Sequence, residues 1–183
     1  PVATVTAWAT VPSMEAALRL LELARARTGA GLTGFEVMGQ FALSLVTRHF
    51  PALRVPLADT AAYAVLLENA GQTDEPEARA AFEALLEHAL EDGCINDVVI
   101  AENIAQAQAL WHIREAIPLA QAEEGLNIKH DISIPISRIP AFCAETDARL
   151  AREVPGVRLV NFGHLGDGNL HYNVQAPAHD DCA

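Results

Sequence analysis

The chain has 183 residues, which is long enough for one large domain with a buried core. Hydrophobic residues make up 51% of the chain but aromatic residues only 5%, so we expect a core built mainly from Ala, Leu, Val and Ile. The formal net charge of −12 argues against a nucleic-acid partner, because such a partner requires a basic face that neutralises phosphates.

Cysteine usage and hydropathy bear on the compartment. Cys94, Cys143 and Cys182 are widely spaced and form no C-x-x-C pair, which favours neither a disulfide framework nor a thiolate zinc site. A reducing compartment fits best, and we expect the cytoplasm. No stretch approaches the roughly 20 apolar residues of a transmembrane helix, and no signal peptide opens the chain. The two ends, Pro1 without Met and Ala183, indicate a fragment of a longer protein.

The first half of the chain predicts two strand–helix–strand units. A strand at 2–11 is followed by a helix that Ser13 caps and Gly29 ends, and then by a strand at 34–38. The second unit repeats this order, with a strand at 62–68, a helix at 77–91 and a strand at 94–101. The repetition predicts an α+β fold of duplicated, ferredoxin-like β-α-β units, with a mostly antiparallel sheet and helices packed on one side.

The second half of the chain is organised differently. Residues 51–61, which include two prolines, are expected to form the longest connection. Beyond the second unit we predict a helix interrupted at Pro118, because proline cannot donate to the carbonyl of the preceding turn. The elements in order are a helix at 102–124, a strand at 129–135, a helix at 138–153 and a hairpin at 157–174.

The hairpin carries the most specific chemistry. The pair Asp167-Gly168 predicts a two-residue turn, which would place His164 directly opposite His171. Side chains opposed in this way have Cβ atoms roughly 4.5–5.5 Å apart, so both imidazoles could bind one divalent metal ion. At least one further ligand would have to come from elsewhere. The alternative is that the two histidines only satisfy a polar hairpin.

A glycine-rich segment offers a competing interpretation. Residues 29–34 match G-x-G-x-x-G, the fingerprint of dinucleotide-binding proteins. That motif requires a strand before it and a helix after it, whereas here the helix comes first. We therefore interpret Gly29 as a helix C-cap, and leave a nicotinamide enzyme as an alternative that needs cofactor binding by this segment.

Two cations and an amide complete the candidate site. Arg114 lies on the third predicted helix and Lys129 opens the strand that follows it, and such a pair can receive a small carboxylate. Asn173 falls two residues after His171 and so shares its face of the strand. The alternatives are two surface cations and a structural asparagine.

Three motifs in a fixed order resemble a known family. They are Leu-Trp-His-Ile-Arg-Glu at 110–115, Lys-His-Asp-Ile-Ser-Ile-Pro at 129–135 and Phe-Gly-His-Leu-Gly-Asp-Gly-Asn-Leu-His-Tyr-Asn-Val at 162–174. With these motifs, and over residues 2–174, the chain resembles the C-terminal cap domain of FAD-linked 2-hydroxyacid dehydrogenases. That group contains D-lactate dehydrogenase, the glycolate oxidase flavin subunit and D-2-hydroxyglutarate dehydrogenase.

The resemblance implies a function for the parent protein. Residues 1–183 would be the cap or substrate domain of an FAD-dependent enzyme that oxidises a D-2-hydroxy acid, with FAD bound mainly by an N-terminal domain outside this chain. His164 and His171 would be ligands of zinc or manganese, Arg114 and Lys129 would bind the carboxylate, and Asn173 would contact the hydroxy acid. A base would take the hydroxyl proton while the Cα hydride passes to the flavin. The electron acceptor is not identified, and a homodimer is left open.

Two departures limit what the resemblance implies. Relatives selective for 2-hydroxyglutarate have a threonine one helical turn after the arginine, where this chain has Pro118. The later Glu-His pair of the family, which supplies the third metal ligand and the general base, would lie beyond Ala183. We therefore expect no catalytic residue in this fragment and no turnover by the fragment alone. A non-catalytic ligand-binding or assembly module with a ferredoxin-like sheet is the alternative from another class.

Overall fold

A computed structural model describes residues 3–71 and 75–178 of the chain. Within these ranges it contains eight strands and five α-helices. In chain order they are β1 (Ala3–Val11), α1 (Met14–Thr28), β2 (Leu32–Gly39), α2 (Gln40–His49), β3 (Tyr63–Gly71), α3 (Glu75–Glu91), β4 (Asp97–Ile100), α4 (Ile104–Glu124), β5 (Asn127–Ile128), β6 (Asp131–Ser133), α5 (Ile139–Glu153), β7 (Arg158–His164) and β8 (Asn169–Gln175).

All eight strands belong to one antiparallel sheet. The strand order is β4-β1-β3-β2-β7-β8-β5, and β6 pairs with β8 beside β5. The first four strands alone have the order β4-β1-β3-β2, which is that of two interleaved β-α-β units in a ferredoxin-like fold. The predicted α+β class, the duplication and the antiparallel sheet are therefore confirmed.

Helices cover both faces of the sheet. Side chains alternate between the faces along β1, so that Ala7 and Ala9 point to one core and Trp8 points to the other. The first core receives α1 and α3, the helices of the two β-α-β units, together with α5. The second core receives α2 and α4. The expected one-sided arrangement therefore holds for α1, α3 and α5, and is corrected for α2 and α4.

Helix α1 begins and ends at the residues that the sequence indicates. The Ser13 side chain accepts a hydrogen bond from the backbone N–H of Ala16, and Gly29 ends the helix with a φ of 55°. Gly34 lies in β2, so the glycine-rich segment follows a helix and precedes a strand. This order is opposite to the one that a dinucleotide fingerprint requires.

Helix α4 runs without a break through Pro118. It spans 21 residues, and the interruption expected at proline is not observed. Proline removes only one backbone hydrogen bond, and burial of Ile113, Ile117 and Ala120 against the sheet holds both halves of the helix in line. Within the described residues, no helix is long and apolar enough to cross a lipid bilayer.

The hairpin formed by β7 and β8 has a longer connection than predicted. Residues Leu165–Asp167 form a 3₁₀ turn, and Gly168 follows with a φ of 78°. Strand pairing places Phe162, and not His164, opposite His171. The predicted two-residue turn is therefore wrong, and the true register differs from it by two residues.

Candidate functional site

A buried carboxylate on β2 connects two of the predicted site residues. Glu36 faces His164 across the pair formed by β2 and β7. Its Oε1 lies 2.9 Å from Nδ1 of His164, and its Oε2 accepts a hydrogen bond of 2.7 Å from Nε of Arg114. The Glu36 side chain is only 10% exposed, so both contacts are largely shielded from solvent. Glu36 thus fixes a histidine of the sheet and an arginine of α4 relative to each other.

Arg114 presents its remaining donors to the site. Its guanidinium carbon lies 4.7 Å from the centroid of the Phe162 ring, a cation–π contact that orients the planar group. Only Nε is used by Glu36, and the two terminal nitrogens make no hydrogen bond within the described part of the chain. A guanidinium held in this way can bind a carboxylate through two parallel N–H groups.

His171 contacts a second carboxylate, that of Asp131, which unlike Glu36 is 82% exposed. Its Nδ1 lies 2.5 Å from Oδ1 of Asp131, which is its direct partner in the pair formed by β6 and β8. Its ring lies 4.7 Å from the Phe162 ring, centroid to centroid, with an angle of 33° between the planes. Phe162 therefore contacts both Arg114 and His171 and connects the two halves of the site.

The corrected register keeps both histidines on one face of the sheet. Side-chain direction alternates with a period of two residues, so a shift of two leaves each side chain on its original face. His164 is then a diagonal neighbour of His171 instead of its direct partner. Each imidazole is about two-fifths exposed, so both can meet a ligand from solvent.

Both imidazoles have the contacts typical of metal-binding histidines. Such histidines usually give one ring nitrogen to a carboxylate or carbonyl, which leaves the other nitrogen for the ion. Here Nδ1 of His164 and of His171 each face a carboxylate, and Nε2 of each makes no hydrogen bond within the described residues. The same residues contain no group of three His, Cys, Asp or Glu side chains that could hold a metal ion. Each imidazole therefore has one ring nitrogen without a hydrogen-bond partner among the described residues, and a metal ion on these two nitrogens would need a further ligand from elsewhere.

Lys129 and Asn173 lie in different surroundings. Lys129 is exposed between β5 and β6 and makes no ion pair within the described residues. Asn173 is buried: its Oδ1 accepts from the backbone N–H of His130, and its Nδ2 donates to Oε1 of Gln121. The second N–H of the Asn173 amide makes no hydrogen bond within the described residues.

A tryptophan one helical turn before Arg114 extends the polar face. Trp111 donates its indole N–H to Oε2 of Glu68 over 2.9 Å, and Thr6 donates to the same oxygen over 3.0 Å. The indole lies close over Gly34, where an added Cβ would be 3.0 Å from the ring. This packing explains why glycine occupies that position of β2.

Three members of the site were not predicted: Glu36, Asp131 and Phe162. Glu36 stands in the apolar run Phe-Glu-Val-Met, where a single acidic residue in a buried strand signals a polar partner. Its partner His164 is 128 residues away, so the sequence alone does not identify it. Asp131 lies on the strand that Lys129 precedes, and only the pairing of β6 with β8 brings it to His171.

Comparison with known proteins places the chain in a family. The family model described as FAD linked oxidases, C-terminal domain, matches residues 1–183. A mitochondrial D-2-hydroxyglutarate dehydrogenase of Arabidopsis thaliana is 35% identical over 163 residues, which are 89% of this chain and 28% of that protein. A D-2-hydroxyglutarate dehydrogenase of Xanthomonas citri is 38% identical over 167 residues, which are 91% of this chain and 34% of that protein. The chain thus spans about a third of the length of these relatives.

Solved structures share the fold at low sequence identity. p-Cresol methylhydroxylase with substrate bound matches with a TM-score of 0.59 and 8% identity, over 96% of this chain and 39% of that one. Alkyldihydroxyacetonephosphate synthase matches with a TM-score of 0.55 and 10% identity, over 95% of this chain and 36% of that one. Together with the family model and the relatives, this shared architecture establishes that the chain belongs to the C-terminal domains of FAD-linked oxidases.

Proposed function

We propose that residues 1–183 are the substrate- and metal-binding cap domain of an FAD-dependent dehydrogenase that oxidises a D-2-hydroxy acid to the 2-oxo acid. The relatives carry the names of such dehydrogenases, and family membership implies FAD. The observation that carries the proposal is the arrangement around Glu36, which holds Arg114 beside His164 on one face of the sheet. A carboxylate receptor next to a metal-ligand pair suits an acid that has an oxygen on the adjacent carbon.

Arg114 would bind the substrate carboxylate. Its Nε is held by Glu36 and its plane by Phe162, so the terminal N–H groups are pre-oriented before a ligand arrives. Pre-orientation reduces the conformational entropy lost on binding. Lys129, exposed at the start of the neighbouring strand, would add a second positive charge. Asn173 would contact the hydroxy acid through its second N–H.

His164 and His171 would hold the divalent ion, zinc or manganese, through Nε2. Glu36 and Asp131 would keep each imidazole in the tautomer that has its proton on Nδ1. When bound, FAD would supply the two-electron oxidation, and the metal would supply Lewis-acid polarisation of the substrate oxygens. The reaction removes a hydride from Cα and a proton from the hydroxyl group. The base that takes this proton, and a third metal ligand, are proposed to lie beyond Ala183.

The setting of the parent protein belongs to the same proposal. Its partners would be a small 2-hydroxy acid and an electron acceptor of unidentified chemistry, and a homodimer is left open. The proposed compartment is the cytoplasm, whereas the Arabidopsis thaliana relative is named as a mitochondrial protein. The 183-residue chain alone should bind metal weakly and should not turn over substrate.

Substitution of the two histidines in the full-length parent protein tests the proposal. His164→Ala and His171→Ala should each lower kcat for D-2-hydroxyglutarate and D-lactate by more than about 100-fold, because loss of a ligand should exceed the 10–100-fold effect of losing its supporting partner. Metal content, measured by mass spectrometry, should fall with kcat while flavin absorbance stays.

The matched control is His88→Ala. His88 lies on α3, on the opposite side of the sheet, and within the described ranges its side chain forms only an exposed pair with Asp92. This variant should retain both activity and metal. Full activity in both site variants would favour the alternative, a non-catalytic ligand-binding module.

A further inference from the structure

The carboxylate of Asp147 lies on the face of the sheet opposite the candidate site, next to the hairpin formed by β7 and β8. Asp147 lies on α5, which packs on the face opposite His164 and His171. Its Oδ1 accepts a hydrogen bond from the hydroxyl group of Tyr172. Burial raises the pKa of Asp147, while the side chains of Tyr172 and Asn161 both favour its charged form. Asn161 belongs to β7 and Tyr172 to β8, and the two residues are direct cross-strand partners.

The Asn161 side-chain amide has one end toward Asp147 and the other end without a partner. Asn161 is buried, and its Oδ1 has no hydrogen-bond partner within the described residues. Turning the amide over would give that oxygen no better position, because it would then face the Asp147 carboxylate. An amide N–H favours the charged form of a nearby carboxylate, so the contact favours the orientation in which the amide nitrogen is the atom nearer to Asp147.

The next pair along the same two strands is the centre of the site. Phe162 follows Asn161, His171 precedes Tyr172, and the two rings stack directly across the strands. In the register that a two-residue turn would give, His171 would face His164, and Tyr172 would face Gly163. Asn161 and Tyr172 would then no longer be partners, and one carboxylate could not hold both.

We propose that Asp147 is a positioning residue that locks the register of β7 and β8 from the far side of the sheet and thereby fixes His171 over Phe162. The claim that Asp147 fixes the strand register depends only on the contacts of Asp147. The claim that this register matters for metal binding and turnover rests on the proposed function.

Cysteine cross-linking in the full-length protein reads the register directly. Leu159 and Val174 are cross-strand partners, so Leu159→Cys with Val174→Cys should form a disulfide with oxidised glutathione. A shift of two residues would make them diagonal neighbours roughly 7–8 Å apart, which is too far for a disulfide. Adding Asp147→Ala should lower the cross-linking yield at least fivefold, and Asp147→Asn, which can still accept from Tyr172, should restore most of it. An equal yield with and without Asp147→Ala would overturn the proposal.

Metal affinity and kcat then separate a positioning role from a merely structural one. Leu150→Ala, at a half-buried leucine of the same helix, serves as the control for general destabilisation. Asp147→Ala and Leu150→Ala should lower Tm by similar amounts. Only Asp147→Ala should also lower metal affinity, at least tenfold, and Leu150→Ala should leave metal affinity within twofold of wild type. Equal metal loss in both variants would contradict positioning. If Asp147→Ala changed the cross-linking yield but not the metal content, Asp147 would still fix the register of β7 and β8, and the result would count against the proposed function.

Discussion

At the scale of single residues, Glu36 is the group on which the site depends. It accepts from Arg114 Nε and contacts His164 Nδ1, which would donate in the proposed tautomer. Glu36→Gln keeps the size of the side chain but replaces one acceptor oxygen with an NH₂ group that faces a donor. If His164 is a metal ligand as proposed, kcat/KM of the full-length protein should fall about 10–100-fold, the usual effect of losing the partner of such a ligand. Steady-state kinetics with a D-2-hydroxy acid measures this effect.

Glu83→Gln is the matched control for that substitution. Glu83 forms an exposed pair with Arg79 within α3, and exposed pairs of this kind contribute little. The control should retain wild-type kinetics. If Glu36→Gln also stayed within twofold of wild type, Glu36 would not be the residue that orients Arg114 and His164.

The residues of the site differ in how far the sequence can predict them. His164, His171 and Arg114 belong to short motifs, and the structure brings all three to one face of the sheet around Glu36 and Phe162. Glu36 could not be assigned, because its role depends on pairing between strands far apart in the chain. Contacts that depend on non-local strand pairing leave no local pattern in the sequence.

At the scale of elements, one carboxylate joins α2, α4 and β7. Glu124 at the end of α4 lies 2.8 Å from Arg48 Nη1 and 2.7 Å from His49 Nε2, and it also pairs with Arg158. Burial alone would raise the pKa of Glu124, but hydrogen bonds from His49, Arg158 and Arg48 outweigh burial and lower it from 4.5 to about 2. The charged form of Glu124 is therefore favoured in the folded protein.

This lowered pKa predicts a loss of stability in acid. A carboxyl group whose pKa is lower in the folded than in the unfolded state stabilises the fold above its unfolded pKa, and this contribution is lost as the pH falls through the folded pKa. Between pH 4.5 and about pH 2 we expect the free energy of unfolding to fall by about 1–2 kcal/mol on account of Glu124, after allowance for solvent screening. Urea unfolding at several pH values, compared with Glu124→Gln, isolates this contribution. Parallel pH curves for the two proteins would contradict it.

The turn before β8 has its own requirement for glycine. Gly168 has a φ of 78°, and an added Cβ would lie 2.3 Å from the carbonyl oxygen of Ile134. Gly93 has a similar φ of 68°, but an added Cβ there would meet no atom within 4 Å. Gly93→Ala should therefore cost about 1 kcal/mol from backbone strain alone, and Gly168→Ala should cost at least about 2 kcal/mol, measured by urea unfolding. Equal costs would show that the contact with Ile134 is not restrictive.

Local signals explain which elements were predicted well. The caps of α1 and the alternation of strands and helices are properties of neighbouring residues, and they predicted both β-α-β units. Helix α2 was not predicted, and the hairpin register was predicted from the Asp167-Gly168 pair alone. In the true register Asn161 and Tyr172 are cross-strand partners, and Tyr172 donates to Asp147 on α5, a contact that the sequence near the turn does not reveal. Tertiary contacts therefore overrode the preference of the turn.

At the scale of the whole molecule, the two faces of the sheet differ: one faces an apolar core and the other carries the candidate site. One face buries α1, α3 and α5 in an apolar core. The opposite face, with α2 and α4, carries Arg114, His164 and His171 where β2, β7 and β8 meet. Because the chain spans about a third of its relatives' length, the flavin and the third metal ligand would have to come from the rest of the parent protein.

Anomalous X-ray diffraction from zinc-loaded crystals of the full-length protein would show whether His164 and His171 bind one metal ion. We expect one strong peak at roughly 2.0–2.1 Å from Nε2 of both His164 and His171, with Nδ1 of each still on Glu36 and Asp131. A bound zinc ion located away from these two nitrogens, in crystals of active enzyme, would contradict the account.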